Sequence, residues 1–276
     1  MKYLETIDHC RPGFGDLYDE LPLWSARFGL RLLDRVPLQP GQTILDVGAG
    51  TGFLTLELAQ RCGPETKIIA VDPWSAGMQR LRRKLAVLDL GNVLLLEQDA
   101  ATIDLPAGSV DVVVSNLGIN NFDNADAVLR VLARVARPNG SLILTTNLVG
   151  HMAEFYDVFR DTLIELEQSD RLVALEDHIR HRGTVESVGS TLRRAGFAVV
   201  RAETDSFRMR FADGSSMLRH QFIRLGFMQD WVSIVAADRL QSTFETLEHN
   251  LNLLAAERGE LALTVPLACI EARKTP

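Results

Sequence analysis

The sequence predicts a doubly wound α/β sheet that carries a helical insertion. Apolar runs of strand length alternate with segments of helical period from about Thr43 to Thr146, the pattern of a parallel sheet with crossover helices. A glycine-rich turn joins the first of these strands to its helix. Beyond Thr146 the alternation stops. Two more strand-length segments, Phe197–Phe211 and Leu261–Ala272, then bracket a helical stretch from Asp213 to Arg258 that is too long for a turn and reads as a lid.

Each element follows from local pattern. Thr43–Val47 is the first strand, and the helix from Thr51 to about Arg61 offers Phe53, Leu54, Leu56 and Leu58 to the sheet. Lys67–Val71, Val93–Gln98 and Val110–Asn116 are the next strands, with a helix over Trp74–Leu88 between the first two of them. A helix from Ala125 to Val135 leads through the turn signal Arg137-Pro138-Asn139-Gly140 into a fifth strand, Ser141–Thr146. The helix from Met152 to Leu166 carries Phe155, Phe159 and Leu163 on one face, and a charged stretch follows as far as Gly183. A helix over Thr184–Ala195 stops at Gly196, a common helix terminator. The whole chain reads as one domain, with 1–40 as an N-terminal segment, 41–150 as the core, 151–212 and 259–276 completing sheet and helices, and 213–258 as the lid.

Composition narrows the function. The chain has 276 residues, 46% of them hydrophobic, and a formal net charge of −7, which argues against a phosphate backbone as partner. Arg80, Arg82, Arg83 and Lys84 form a basic run that reads as a solvated helix face. Cys10, Cys62 and Cys269 have no redox or metal-ligand spacing, so a reducing, cytoplasmic setting and no metal are expected. No apolar stretch approaches the roughly 18 residues of a membrane span. The acceptance of a small molecule fits this balance better than nucleic acid or membrane. Oligomeric state is not encoded in any feature of the chain.

The chemistry concentrates after the first strand, in Asp46-Val47-Gly48-Ala49-Gly50-Thr51-Gly52. Glycines at alternate positions permit positive φ and close approach of a ligand to the backbone, and the following helix presents free N–H groups. Asp72 ends the second strand, where a carboxylate can accept from both hydroxyls of a ribose. Asp99 ends the third, where it can accept from an exocyclic adenine amine beside the Ala100 N–H. Each of these aspartates is equally readable as a solvated strand end or a helix cap. The loop is one residue shorter than the G-x-G-x-x-G of nicotinamide enzymes, which disfavours an oxidoreductase.

With these motifs, DVGAGTG, VDPW, QDA, SNLGINNF and RVARPNGSLILTT, the chain resembles the class I S-adenosylmethionine-dependent methyltransferases, in particular the small-molecule group called type 11. The resemblance spans about Thr43 to Thr146 and implies a Rossmann-like sheet with an antiparallel C-terminal strand. It implies S-adenosylmethionine as cofactor and S-adenosylhomocysteine as product. Gly48, Ala49, Gly50 and Gly52 would lie under the methionyl part, Asp46 would order the loop and the amine, and Asp72 with Pro73 and Trp74 would hold the ribose. Asp99 and Ala100 would hold the adenine, and the backbone at Asn116 and Leu117 would close the site. The segment Phe14–Trp24 is similar to the family's N-terminal helical cap; Tyr18 and its aromatic neighbours either face the sulfonium or pack on the core.

In-line methyl transfer needs alignment and exclusion of water more than a base. Relatives often carry a His pair after the fourth strand, where this chain has Asn120 and Asn121; the amides either orient a substrate or build a turn. His151, just past the fifth strand with Glu154 and Tyr156 on the next helical turn, is the candidate acid/base or orienting group. Trp231 and the lid's other aromatics either line a substrate pocket or form the lid's own core. His178 and His181 read as a solvated face. The reaction expected is methyl transfer to an oxygen or nitrogen of a small organic molecule; the alternative is a cofactor-binding protein that regulates or does not methylate.

Overall fold

The computed structural model describes the chain apart from Thr6, 9–12 and 20–22; Cys10 and the 20–22 stretch of the expected cap therefore lie outside the described residues. In chain order the elements are α1 (Phe14–Asp19), α2 (Ser25–Leu33), β1 (Thr43–Val47), α3 (Phe53–Arg61), β2 (Lys67–Val71), α4 (Ser75–Leu88), β3 (Val93–Leu96), β4 (Val110–Asn116), α5 (Ala125–Val135) and β5 (Ala136–Asn147). They continue with α6 (Ala153–Glu165), α7 (Leu172–Arg180), α8 (Val185–Arg194), β6 (Phe197–Phe211), α9 (Gly214–Arg219), α10 (Gln221–Gly226), α11 (Met228–Ile234), α12 (Leu240–Arg258) and β7 (Leu261–Lys274).

The chain divides into two compact units. A core unit holds His9–Asn147, Thr184–Thr204 and Leu267–Pro276; a helical unit holds Met1–Asp8, Leu148–Gly183 and Asp205–Pro266. The 213–258 segment lies in the helical unit together with α6, α7 and the first residues of the chain.

The seven strands run in the order β3-β2-β1-β4-β5-β7-β6. β1 to β5 pair in parallel, and β7 enters antiparallel to β5, from Ser141 opposite Arg273 to Asn147 opposite Leu267. Steps from β1 to β3 move one way across the sheet and the step from β4 to β5 moves the other way. Right-handed crossovers then set α3 and α4 on one face and α5 on the opposite one. The order reverses between β1 and β4, so their carboxyl ends open the crevice where such sheets bind ligands. Ile44, Ile68, Val112, Val114 and Ile143 from the strands pack with Leu32, Leu54 and Leu58 from α2 and α3.

One expectation is corrected. The Arg137–Gly140 turn signal does not precede β5 but lies within it. Val110 pairs with Ala136 and Val112 with Ser141, so the intervening residues form a bulge, with Asn139 at φ 61° and Arg137 paired to Asp111. Turn chemistry was read correctly, but a bulge uses the same residues while the chain re-enters its own strand. The start of α8 is set by a capping box in which Thr184 and Ser187 exchange bonds, and Gly196 follows at φ 91°.

In the helical unit the core is aromatic. Trp231 is stacked on Phe155 at 4.0 Å and on Phe227 at 5.8 Å, and Phe159 of α6 and Phe244 of α12 are fully buried with their rings 6.1 Å apart. The start of the chain is anchored here: the Tyr3 hydroxyl donates to Glu248 at 2.9 Å, and Arg219 lies over the Tyr3 ring at 4.8 Å. Among the described residues no helix is long and apolar enough to cross a membrane.

Candidate active site

The loop after β1 is ordered from below by carboxylates. Asp46 is buried at 1% exposure and accepts from Thr55 Oγ1 at 2.6 Å. Burial raises its pKa; the Thr55 bond opposes this, the Asp72 charge adds to it, and the result is about 7. Gly48 N and Ala49 N both donate to Val71 O, at 2.9 and 3.1 Å. Asp72 accepts from Gly50 N and from Trp74 N, each at 2.8 Å. It thus staples the β1 and β2 loops together, which the strand-end reading of Asp72 did not foresee.

The three glycines have different reasons to be glycine. All have positive φ, 78°, 54° and 93° for Gly48, Gly50 and Gly52. A Cβ on Gly52 would overlap the Leu81 side chain, and one on Gly48 would come to 3.1 Å from Gly118 Cα, whereas one on Gly50 would meet nothing within 4 Å. Gly50 alone of the three faces open space, with its N–H on the Asp72 carboxylate.

Trp74 lies on α4 because Gly77 has no side chain; a Cβ there would overlap the indole. Tyr18 and Phe14 meet it edge-on at 5.1 and 5.9 Å. The Trp74 Nε1 is buried without a hydrogen-bond partner, a donor whose desolvation cost is unrelieved. The Tyr18 hydroxyl has a raised pKa, from desolvation and then from the Asp72 charge. α1 is clasped to α4: Asp19 bonds Arg80 at 3.0 Å and Lys84, Asp16 bonds Arg83 at 2.5 Å, and Lys84 also donates to Thr51 O at 2.9 Å. The basic run read as a solvated face is thus largely paired with α1, and Arg82 approaches Glu97 at 3.9 Å. The sequence carried a signal for this in the Asp16–Asp19 spacing, which matches one turn of α4.

Asp99 is exposed and caps the short helix that follows, accepting from Ala101 N at 2.7 Å; Ala100 is buried and Pro73 exposed. At the end of β4, the Asn116 side chain donates to Ser25 O at 3.0 Å and accepts from Thr145 Oγ1 at 2.7 Å. Leu117 takes φ 65°, a costly conformation for a branched residue, and its N–H is held by Thr145. Asn120 is used at both ends of its amide, donating to Asn147 Oδ1 at 2.8 Å and accepting from Thr146 Oγ1 at 2.6 Å. Asn121 is exposed. Thr55, Thr145 and Gly118, whose Cβ would overlap Ser115 Oγ, were missed because a threonine or glycine carries no chemical signature of its own.

The remaining candidates belong to the helical unit. His151 is buried at 3% exposure with its ring 5.4 Å from that of Phe227. Burial, then the charges of Arg182 and His178, lower its pKa to about 3. Glu154 is turned to Thr264, whose N–H and hydroxyl it accepts at 2.9 and 2.5 Å. Tyr156 accepts from Trp231 Nε1 at 3.2 Å and shares a hydrogen bond of 2.9 Å with His178 Nε2. Trp231 has no exposure and belongs to the unit's core. Among the described residues no three His, Cys, Asp or Glu side chains converge as metal ligands.

The comparisons with known proteins bear on this loop directly. Residues 44–140 match the methyltransferase domain family. Over 255 residues the chain is 27% identical to nocamycin O-methyltransferase of Saccharothrix syringae, covering 89% of this chain and 90% of that one. It is 28% identical over 181 residues to the ubiquinone/menaquinone biosynthesis C-methyltransferase of Hahella chejuensis, covering 60% and 71%. A solved S-adenosylmethionine-dependent methyltransferase from Aquifex aeolicus superposes with TM-score 0.53 at 23% identity, covering 70% of this chain and 91% of that one. Residues 44–140 thus form a methyltransferase domain, in agreement with the resemblance of the chain to the class I S-adenosylmethionine-dependent methyltransferases. The residues present are compatible with that cofactor: Gly50 leaves open space beside the Asp72 carboxylate, and the buried Trp74 indole N–H is unsatisfied.

Proposed function

We propose that this methyltransferase methylates an oxygen of a small organic acceptor, with S-adenosylmethionine held wholly by the core unit. The observation that carries the reading is Gly50, which faces open space while its N–H is held by the Asp72 carboxylate. Gly48 and Ala49 continue that cradle, and Gly52 shapes it through packing. Asp46 meets the cofactor's ammonium and Asp72 accepts from the ribose, with Trp74 and Pro73 at its side; Asp99 and Ala100 take the adenine. Asn116 and Leu117 supply backbone at the end of β4, and Tyr18 covers the cofactor from α1.

Oxygen is favoured because the similarity to an O-methyltransferase extends over 89% of the chain, helical unit included, against 60% for the C-methyltransferase. When bound, S-adenosylmethionine supplies an electrophilic methyl on sulfur, and its leaving group is a neutral thioether. The protein's part is then alignment and exclusion of water. His151, with its pKa near 3, is uncharged at neutral pH and too weak a base to hold a proton there. Asn120 and Asn121, at the β4 end of the core unit, are the groups that orient the acceptor. The net charge of −7 and the pairing of the α4 cations with α1 support a small molecule rather than a nucleic acid, in a cytoplasmic setting.

The test is an untargeted search of a metabolite extract for compounds that gain one methyl when enzyme and S-adenosylmethionine are added, with S-adenosylhomocysteine measured in parallel. An O-methylated product that disappears with Gly50→Val supports the reading. Products methylated only on carbon or nitrogen would overturn the choice of oxygen.

A further inference from the structure

Two amide relays cross the carboxyl ends of β4 and β5 in the core unit, and only one of them is closed. In the first, Thr145 Oγ1 donates to Asn116 Oδ1 at 2.7 Å and Asn116 Nδ2 donates to Ser25 O at 3.0 Å. Both ends of that amide are used. In the second, Thr146 Oγ1 stands 2.6 Å from Asn120 Oδ1, and Asn120 Nδ2 donates to Asn147 Oδ1 at 2.8 Å. There the relay stops. Asn147 is 2% exposed and its backbone is fixed opposite Leu267 of β7. Its Nδ2 meets no acceptor among the described residues and is not sealed off by them.

The sense of the open relay follows from its first bond. A separation of 2.6 Å belongs to an O–H···O bond and is shorter than an amide N–H ordinarily reaches, so the Thr146 hydroxyl is the donor and Asn120 presents its carbonyl oxygen. The approach of the same hydroxyl to Asn147 O, at 3.0 Å, is the longer of its two contacts. Asn120 then offers N–H to Asn147, which takes it on Oδ1 and turns its own NH2 outwards. A buried amide donor without a partner is costly, and a ligand oxygen relieves it. No ionisable side chain hydrogen-bonds to any member of the relay, and amides and hydroxyls of this kind neither take up nor release a proton near neutral pH. The relay has a donor to offer and no base. A donor aimed at an oxygen favours its charged form over its protonated one.

Resting on the methyl-transfer reading, we infer that Asn147 Nδ2 donates to the reacting oxygen of the acceptor, with Asn120 and Thr146 as positioning residues behind it, so that the acceptor is an oxygen acid bound as its anion. Asn120 orients the acceptor through Asn147. The anionic oxygen forms its bond to the methyl carbon as the carbon–sulfur bond breaks. The bonding pair goes to sulfur, and the two opposite charges cancel without a proton changing hands. An alkanol, whose proton has to leave during the step, finds no group in the relay to receive it.

The probe is 4-nitrophenol, which ionises near neutral pH with a visible colour change, added to the S-adenosylhomocysteine-loaded protein. 4-Nitroanisole, of similar shape and without an ionisable oxygen, reports any pH effect of the protein itself. The phenolate should bind roughly tenfold more tightly than the phenol, read as a fall of about one unit in the pKa of the bound probe. Asn147→Ala should abolish that preference. Asn120→Asp should raise the bound pKa, because a carboxylate there has no N–H for Asn147 Oδ1 and draws the Asn147 NH2 inwards. The same change made in the Asn147→Ala background should do little, since it acts through Asn147. Thr146→Val, the second test of the relay, should return the bound pKa towards its free value, and S-adenosylhomocysteine affinity should stay within about twofold in every variant. The inference is overturned by equal affinity for phenol and phenolate, by binding of neither, by Asn147→Ala keeping the preference, or by Asn120→Asp and Thr146→Val both behaving as the wild type. Failure of the wild-type protein to bind S-adenosylhomocysteine would instead strike the methyl-transfer reading itself.

Discussion

The core unit and the helical unit place their polar groups by opposite means. In the core unit the loops at the ends of β1, β2 and β4 are short, and each functional group sits within a few residues of a strand whose register is fixed. In the helical unit His151, Tyr156 and Trp231 come together only because α6, α11 and the loop after β5 share an aromatic core. Local sequence therefore determines the first arrangement, and long-range packing determines the second. Substitutions should separate the two, because a change in one unit should leave the other's property intact.

The largest effect is expected at Trp231. Trp231→Ala removes a fully buried indole stacked on two rings and should cost about 3–5 kcal/mol of stability, read by denaturant unfolding. Affinity for S-adenosylhomocysteine in the protein that remains folded should be unchanged; a parallel loss would mean that the two units do not separate. Within the core unit, Gly52→Ala should cost roughly 2–4 kcal/mol of stability, from strain at positive φ and overlap with Leu81. Gly50→Val has free space around it but sets a β-branched residue at φ 54°, so it should cost about 1–3 kcal/mol of stability while abolishing calorimetric binding of S-adenosylhomocysteine to the folded protein.

Asp72→Ala should weaken that binding by about 1.5–3 kcal/mol and also lower the melting temperature, since Gly50 N and Trp74 N lose their acceptor. An unchanged affinity would remove Asp72 from the ribose. A smaller effect concerns pH. Asp46 has its pKa raised to about 7, and a cationic ligand favours its charged form, so binding expels a proton from the protonated fraction. Affinity should rise as pH increases towards 7 and level off above it, by up to about 1.4 kcal/mol per pH unit below 7. Asp46→Asn should flatten the curve. The smallest effect is expected at His151: with a pKa near 3 it stays neutral from pH 5 to 8, so the single-turnover rate should show no inflection from it there. An inflection near 6.5 that vanishes in His151→Ala would restore it as a titrating base.

The contrast also explains what could be read from the chain beforehand. β1, β2 and β4 were legible because buried parallel strands are continuous apolar runs, and Gly50 and Asp72 were legible because their chemistry is bound to strand ends. The Arg137–Gly140 bulge was not, since turn residues signal a change of direction without revealing what the chain pairs with next. Trp231 was readable as lining or as core, and its complete burial follows from Phe155 and Phe227, which no pattern along the chain assigns to it. Asn120 was ambiguous for the same reason: its partners, Thr146 and Asn147, arrive from a different strand.

The clasp between α1 and α4 has a graded response built into it. Asp16, at the start of α1, is 41% exposed, and Asp19, at its end, only 15%. Counter-ions screen exposed pairs far more than sheltered ones, so rising ionic strength loosens the Asp16 attachments while the Asp19–Lys84 pair still holds. The buried Phe14 ring against Trp74 still holds the first turn of α1 in place, so salt loosens the electrostatic part of the clasp before its apolar part. Salt therefore acts on the escape rate of whatever α1 covers before it acts on the fold.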